Sequence, residues 1–137
     1  MRQPFNPSRR RCLIAGAALA DALAVVVFVA LGRGAHDEGS ALSGTVRIAA
    51  PFLLAAVLGW VASRAWRAPL DVWRAGVPIW VVTIVVGMLL RHTVFDRGTA
   101  LPFVIVATGM VGLLLLGWRT VADVVTRRRG RAYDPRP

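Results

Sequence analysis

The 137-residue chain has no lysine, one cysteine and one tyrosine. Apart from Asp21, it also has no charged residue in any of four long apolar stretches. Each absence excludes something. With Cys12 alone, no internal disulfide can form, so the fold needs no oxidising compartment. No small residues precede Cys12 as a lipoprotein signal requires, so it reads as an incidental cysteine near the start of the first stretch. The missing lysine reads as codon bias and carries no chemistry. There is no phosphate-cradling glycine loop, no HExxH, no CxxC and no nucleophile elbow. No enzyme, catalytic residue or cofactor is therefore expected.

What is present is hydrophobic. Apolar residues make up 56% of the chain and concentrate at 13–31, 48–63, 75–90 and 100–118. A water-soluble domain of this length has no room to bury four such runs. A bilayer accepts them, and it demands helices, because hydrocarbon satisfies no open backbone group. The expected fold is all-α: a polytopic antiparallel bundle of four transmembrane helices joined by short loops. Basic tails at 1–12 and 120–137 flank a membrane domain at 13–119. The net charge of +10 sits almost wholly at span ends and in the tails. That placement points to the lipid bilayer as partner and away from nucleic acid. The segment from Ser8 to Leu13 has the look of a twin-arginine or secretion signal. The run after it is nineteen residues, long enough to span, and lacks a small-x-small cleavage site, so the first helix is expected to be retained.

Arginine placement predicts the threading. With the N-terminus inside, thirteen arginines fall on the cytoplasmic side and only Arg33, Arg47, Arg91 and Arg97 fall outside. Both termini are then cytoplasmic in a multi-pass protein of the plasma membrane. Trp60, Trp66, Trp73 and Trp118 fall near the inner interface, and Phe52, Phe95 and Phe103 near the outer one. The second and third runs hold sixteen residues each, about 24 Å of helix. Flanking Arg47, Arg64, Arg74 and Arg91 lengthen them by reaching toward headgroups.

Asp21 is the first candidate for function. A charge near the middle of a span costs at least about 2.5–3.5 kcal/mol, so it must face the bundle and be paired, protonated or used. Trp80, Thr83, Gly87 and Arg91 share one face of the third helix at spacings of three and four. Asp21, Thr83 and Arg91 therefore form the expected intramembrane polar site, with Asp21 and Arg91 offset in depth by ~10 Å. One reading makes Asp21 a structural acid that fixes helix register. On that reading Asp21→Asn leaves the fold nearly as stable. The alternative is a small proton-coupled transporter that titrates Asp21. Its plan resembles the small multidrug exporters, but the arginine asymmetry and the lack of an aromatic-rich substrate face depart from them.

Arg127, Arg128, Arg129 and Arg131 are candidate contacts for anionic lipid headgroups. His36, Asp37, Glu38, His92 and Asp96 lack recognised metal-ligand spacing and read as solvated loop residues. Small residues at spacing four, Ala55, Gly59 and Ser63 and then Thr108 and Gly112, permit close helix packing within one chain or between copies. Self-association and other membrane proteins are the partners this suggests.

Four short patterns carry a resemblance. They are the D-A-L run opened by Asp21, G-R-x-x-H from Gly32 to His36, W-x-x-T from Trp80 to Thr83, and the G-W-R that ends on Arg119. Over about residues 15–120 the chain resembles a family of small four-span bacterial membrane proteins of unknown function, familiar chiefly in actinobacteria. The resemblance implies the four-helix membrane architecture and no activity.

Overall fold

A computed structural model describes residues 7–34, 42–94 and 100–131. Four helices account for nearly all of them: α1 Pro7–Gly34, α2 Leu42–Ser63, α3 Val77–Thr93 and α4 Leu101–Arg131. Each is long and apolar enough to cross a membrane, with the turn before α3 counted in its span. Among the described residues there is no strand. The helices run well past the apolar stretches. α1 starts at Pro7, α2 at Leu42, and α4 continues to Arg131, well into the basic tail at 120–137. Apolar content marks the hydrocarbon-facing part of a helix and says little about where its hydrogen bonds stop. Proline is well suited to a first helical position, as at Pro7. The end of α4 is supported by Asp123 paired with Arg127 at 2.9 Å and by the Thr126 hydroxyl donating to the Ala122 carbonyl at 2.9 Å.

Neighbouring helices are antiparallel, and contacts between them fix the register. Phe52 and Gly59 of α2 face Gly87 and Ile79 of α3, while Trp80 of α3 faces Gly112 of α4. Phe28 of α1 meets Phe52 of α2 and Phe103 of α4. The α2–α3 pair is the most extensively packed. Its closest approach is at Gly59, where a Cβ would lie 2.9 Å from the Ile79 Cα. Only glycine lets the two backbones come this near. At the end away from the α2–α3 connector, Phe28, Phe52 and Phe103 fill the centre with ring centroids 5.8 to 6.5 Å apart. Phe52 is fully buried there, so it belongs to the core and not to an interfacial belt.

The distribution of side chains is inverted relative to a water-soluble bundle. The interior holds small and medium residues such as Ala17, Val25, Ala49, Ala55 and Ala107, together with Asp21, Thr83 and Arg119. Leu19, Leu23, Val57, Val61, Ile105 and Leu113 point outward and are exposed. An apolar surface of this extent is stable only against another apolar phase.

The α2–α3 connector is folded. α2 closes on Arg64, which sits in the left-handed region with φ 51°. A 3₁₀ turn at Ala65–Arg67 follows, then a π turn at Val72–Gly76 leads into α3. Asp71 caps that turn, its Oδ1 accepting from the backbone N–H groups of Trp73 and Arg74, both at 2.9 Å.

The glycine contact makes a paired prediction. Gly59→Ala is expected to destabilise the bundle by about 1–3 kcal/mol through overpacking. Gly16→Ala, in open space with no atom within 4 Å, is expected to be neutral or to stabilise by up to about 1 kcal/mol. Unfolding in mixed micelles against the mole fraction of dodecyl sulfate checks both.

Candidate functional site

Asp21 lies on the inward face of α1, and three residues of α2 and α4 converge on it. Arg119 of α4 grips the carboxylate in a fork: Nη1 donates to Oδ1 and Nη2 to Oδ2, each at 2.6 Å. The indole of Trp60 from α2 donates to Oδ2 at 2.8 Å, and that of Trp118 donates to Oδ1 at 2.9 Å. Each carboxylate oxygen thus accepts two hydrogen bonds. The Arg119 side chain is 0% exposed and that of Asp21 2%.

Arg119 is held on its other edges as well. Nε donates to the Pro69 carbonyl at 3.2 Å, and Nη1 to the Leu115 carbonyl one turn back at 3.0 Å. Its guanidinium carbon lies 4.7 Å from the centre of the Trp118 ring. Backbone packing makes room for it, since a Cβ at Gly76 would come within 3.0 Å of the Arg119 Cδ. One buried pair therefore joins α1, α2, α4 and the connector into α3.

The physical reason for so many partners is desolvation. Taking both ions out of water costs several kcal/mol each, and only short, fully hydrogen-bonded geometry repays it. A bidentate guanidinium–carboxylate contact provides that geometry, and the indoles occupy the remaining lone pairs of the acid.

The other residues singled out from sequence fall elsewhere. Arg91 is at the opposite end of the bundle, its guanidinium carbon 4.3 Å from the centre of the Phe103 ring. Phe103 packs on Phe28, seven residues and about 10 Å along α1 from Asp21. Arg91 does not reach Asp21: the position the sequence suggested for Arg91 is taken by Arg119. The reason is reach. Arg119 turns back along α4 into the bundle, and its approach saturates Asp21.

Thr83 is fully buried between these two ends, and its hydroxyl is the one buried side-chain polar atom among the described residues with no hydrogen-bond partner. It makes no hydrogen bond to the pair. Trp80 donates from Nε1 to the Thr108 carbonyl at 3.0 Å and fills the α3–α4 interface.

Arg127 and Arg128 are exposed, Arg127 beside Asp123. The side chains of Arg129 and Arg131 lie outside the described residues, as do His36, Asp37, Glu38 and Asp96. His92 is exposed, and among the described residues no three His, Cys, Asp or Glu side chains cluster as metal ligands do.

Sequence reasoning found the acid and missed its cation. Arg119 follows a tryptophan at the end of an apolar run, which is also how an interfacial anchor looks. The available signal was antiparallel order. The beginning of the first helix and the end of the fourth share one end of the bundle, so Asp21 and Arg119 approach when α1 begins at Pro7.

The family described as protein of unknown function, DUF3054, matches this chain over residues 18–122. The chain belongs to that family. The DUF3054 match takes in Asp21, Trp60, Pro69, Trp118 and Arg119, so the entire polar cluster lies within the family domain. No curated protein and no solved structure matches the chain.

The geometry reverses one expectation from sequence. Asp21→Asn leaves Arg119 as an uncompensated buried cation and is expected to lower stability by about 3–5 kcal/mol. Arg119→Gln is expected to do the same by leaving the carboxylate. The double variant Asp21→Asn, Arg119→Gln is expected to lose at least about 2 kcal/mol less than the sum, because neither orphan charge remains. A double-mutant cycle of unfolding free energies in micelles measures this, and strict additivity would remove the coupling.

Proposed function

We propose that this DUF3054 protein is a non-enzymatic integral membrane scaffold, a locked four-helix bundle that works by packing with copies of itself or with membrane partners. The observation that carries this reading is the saturation of Asp21. Both of its oxygens already accept two hydrogen bonds, from Arg119, Trp60 and Trp118. A carboxylate that carries protons or cations across a membrane needs a vacant coordination position facing a path for them. Here the acid serves as the common acceptor for donors from two other helices. Its role on this reading is to fix register, and the outward apolar faces are left for partners.

The arginine asymmetry supports threading with both termini cytoplasmic and the protein in the plasma membrane. The end that carries the termini and the α2–α3 connector then faces the cytoplasm.

Two experiments test this. Purified protein in liposomes bearing a pH gradient is expected to give no proton flux and no gradient-driven uptake across a panel of organic cations. Uptake by the parent chain that disappears in a folded Asp21 variant would overturn the scaffold reading and favour the transporter. Cys12 is exposed and is the chain's single cysteine. A membrane-impermeant maleimide is expected to label it only after cells are permeabilised, whereas labelling of intact cells would invert the threading.

A further inference from the structure

The end of the bundle nearest the ion pair carries a second feature that the scaffold reading does not use. Three basic segments converge on the α2–α3 connector. From the start of α1, Arg10 donates to the Trp66 carbonyl at 3.4 Å. α4, which packs against the π turn through Leu116 and Arg119, carries Arg127 two turns further on, beside Asp123. The connector itself contributes Arg64, Arg67 and Arg74, all exposed. The described carboxylates of this surface are both engaged: Asp71 caps the π turn and lies 3.9 Å from Arg74, and Asp123 pairs with Arg127. Arg64 and Arg67 have no carboxylate partner among the described residues.

Tryptophan shares the surface. Trp73 is 80% exposed and Trp66 39%, in contrast to Trp60 and Trp118, whose indoles turn inward to Asp21. The connector joins two helices of membrane-spanning length, so it lies at the bilayer boundary. Exposed indoles are stable at that depth because the ring is apolar and its N–H meets headgroups.

Arg64 adds an independent mark. The left-handed position that ends a helix favours glycine, and a side-chain-bearing residue there is strained. The chain places an exposed guanidinium at this position, three residues before the exposed Arg67.

We infer that the connector surface, centred on Arg64, Arg67 and Trp73, binds the phosphate groups of anionic phospholipids in the adjoining leaflet. Guanidinium forks match phosphate geometry, and the indoles set the depth at which headgroups are met. The interaction is independent of the scaffold reading and of which leaflet the connector faces.

The test uses the full chain in phosphatidylcholine vesicles and reads tryptophan quenching by brominated guest lipid. Brominated phosphatidylglycerol is expected to quench with an apparent affinity several-fold above brominated phosphatidylcholine at about 0.15 M salt, and the preference is expected to shrink toward unity near 1 M salt. Arg64→Gly relieves the left-handed strain, so the fold is kept, yet it is expected to lower the preference about fivefold. Arg67→Gln is expected to act in the same direction. His92→Gln, at an exposed site on the opposite end, is expected to leave it unchanged. Equal quenching by the two lipids would overturn the inference. So would a preference that survives Arg64→Gly with Arg67→Gln, or one abolished by millimolar inorganic phosphate, which would assign the surface to a free anion.

Discussion

A carboxylate and a guanidinium placed away from water have only each other and nearby dipoles to replace their hydration. That demand organises this bundle. Asp21 and Arg119 meet at 2.6 Å through both pairs of atoms, and the remaining acceptor positions are taken by two indoles. Because the donors sit on different helices, satisfying the charges also fixes how those helices stand. α2 and α3 hold together through the close approach at Gly59. α1 meets α2 and α4 through Phe28 at one end, and the ion pair and its indoles join it to them at the other.

The two ends of the molecule are built on different chemistry. One end is closed by Phe28, Phe52 and Phe103, with the Arg91 guanidinium over a ring face. The other end has the buried ion pair, four tryptophans and a rim of exposed arginines. Two of those tryptophans look inward to the acid and two look outward. The same residue type therefore serves as an internal donor and as an exposed ring at one end of the bundle. The difference is set by which face of the chain each one occupies.

This arrangement bears on function through what it leaves available. A polar cluster whose strongest acceptor is already filled behaves as a fastening, and it stiffens the elements it joins. The unpartnered Thr83 hydroxyl shows that the interior tolerates one imperfect polar position without building around it. The proposed scaffold role and the proposed lipid-binding surface both rest on this division between a closed interior and an exposed apolar exterior.

Composition alone settled that four helices long and apolar enough to cross a membrane would form, because only hydrocarbon accommodates four uncharged runs in so short a chain. It also marked Asp21, since a lone charge in such a run has to be accounted for. The extent of the helices was less legible: Pro7 and Arg131 lie in polar sequence, where local hydrogen bonding continues after hydrophobicity stops. The identity of the cation was not legible at all. Arg91 and Arg119 each end an apolar run and look alike in sequence. Only the packed bundle distinguishes them, because side-chain direction decides which guanidinium turns inward. At Arg119 the space beside Gly76 and the carbonyls of Pro69 and Leu115 receive it, while Arg91 finds an aromatic face at the opposite end.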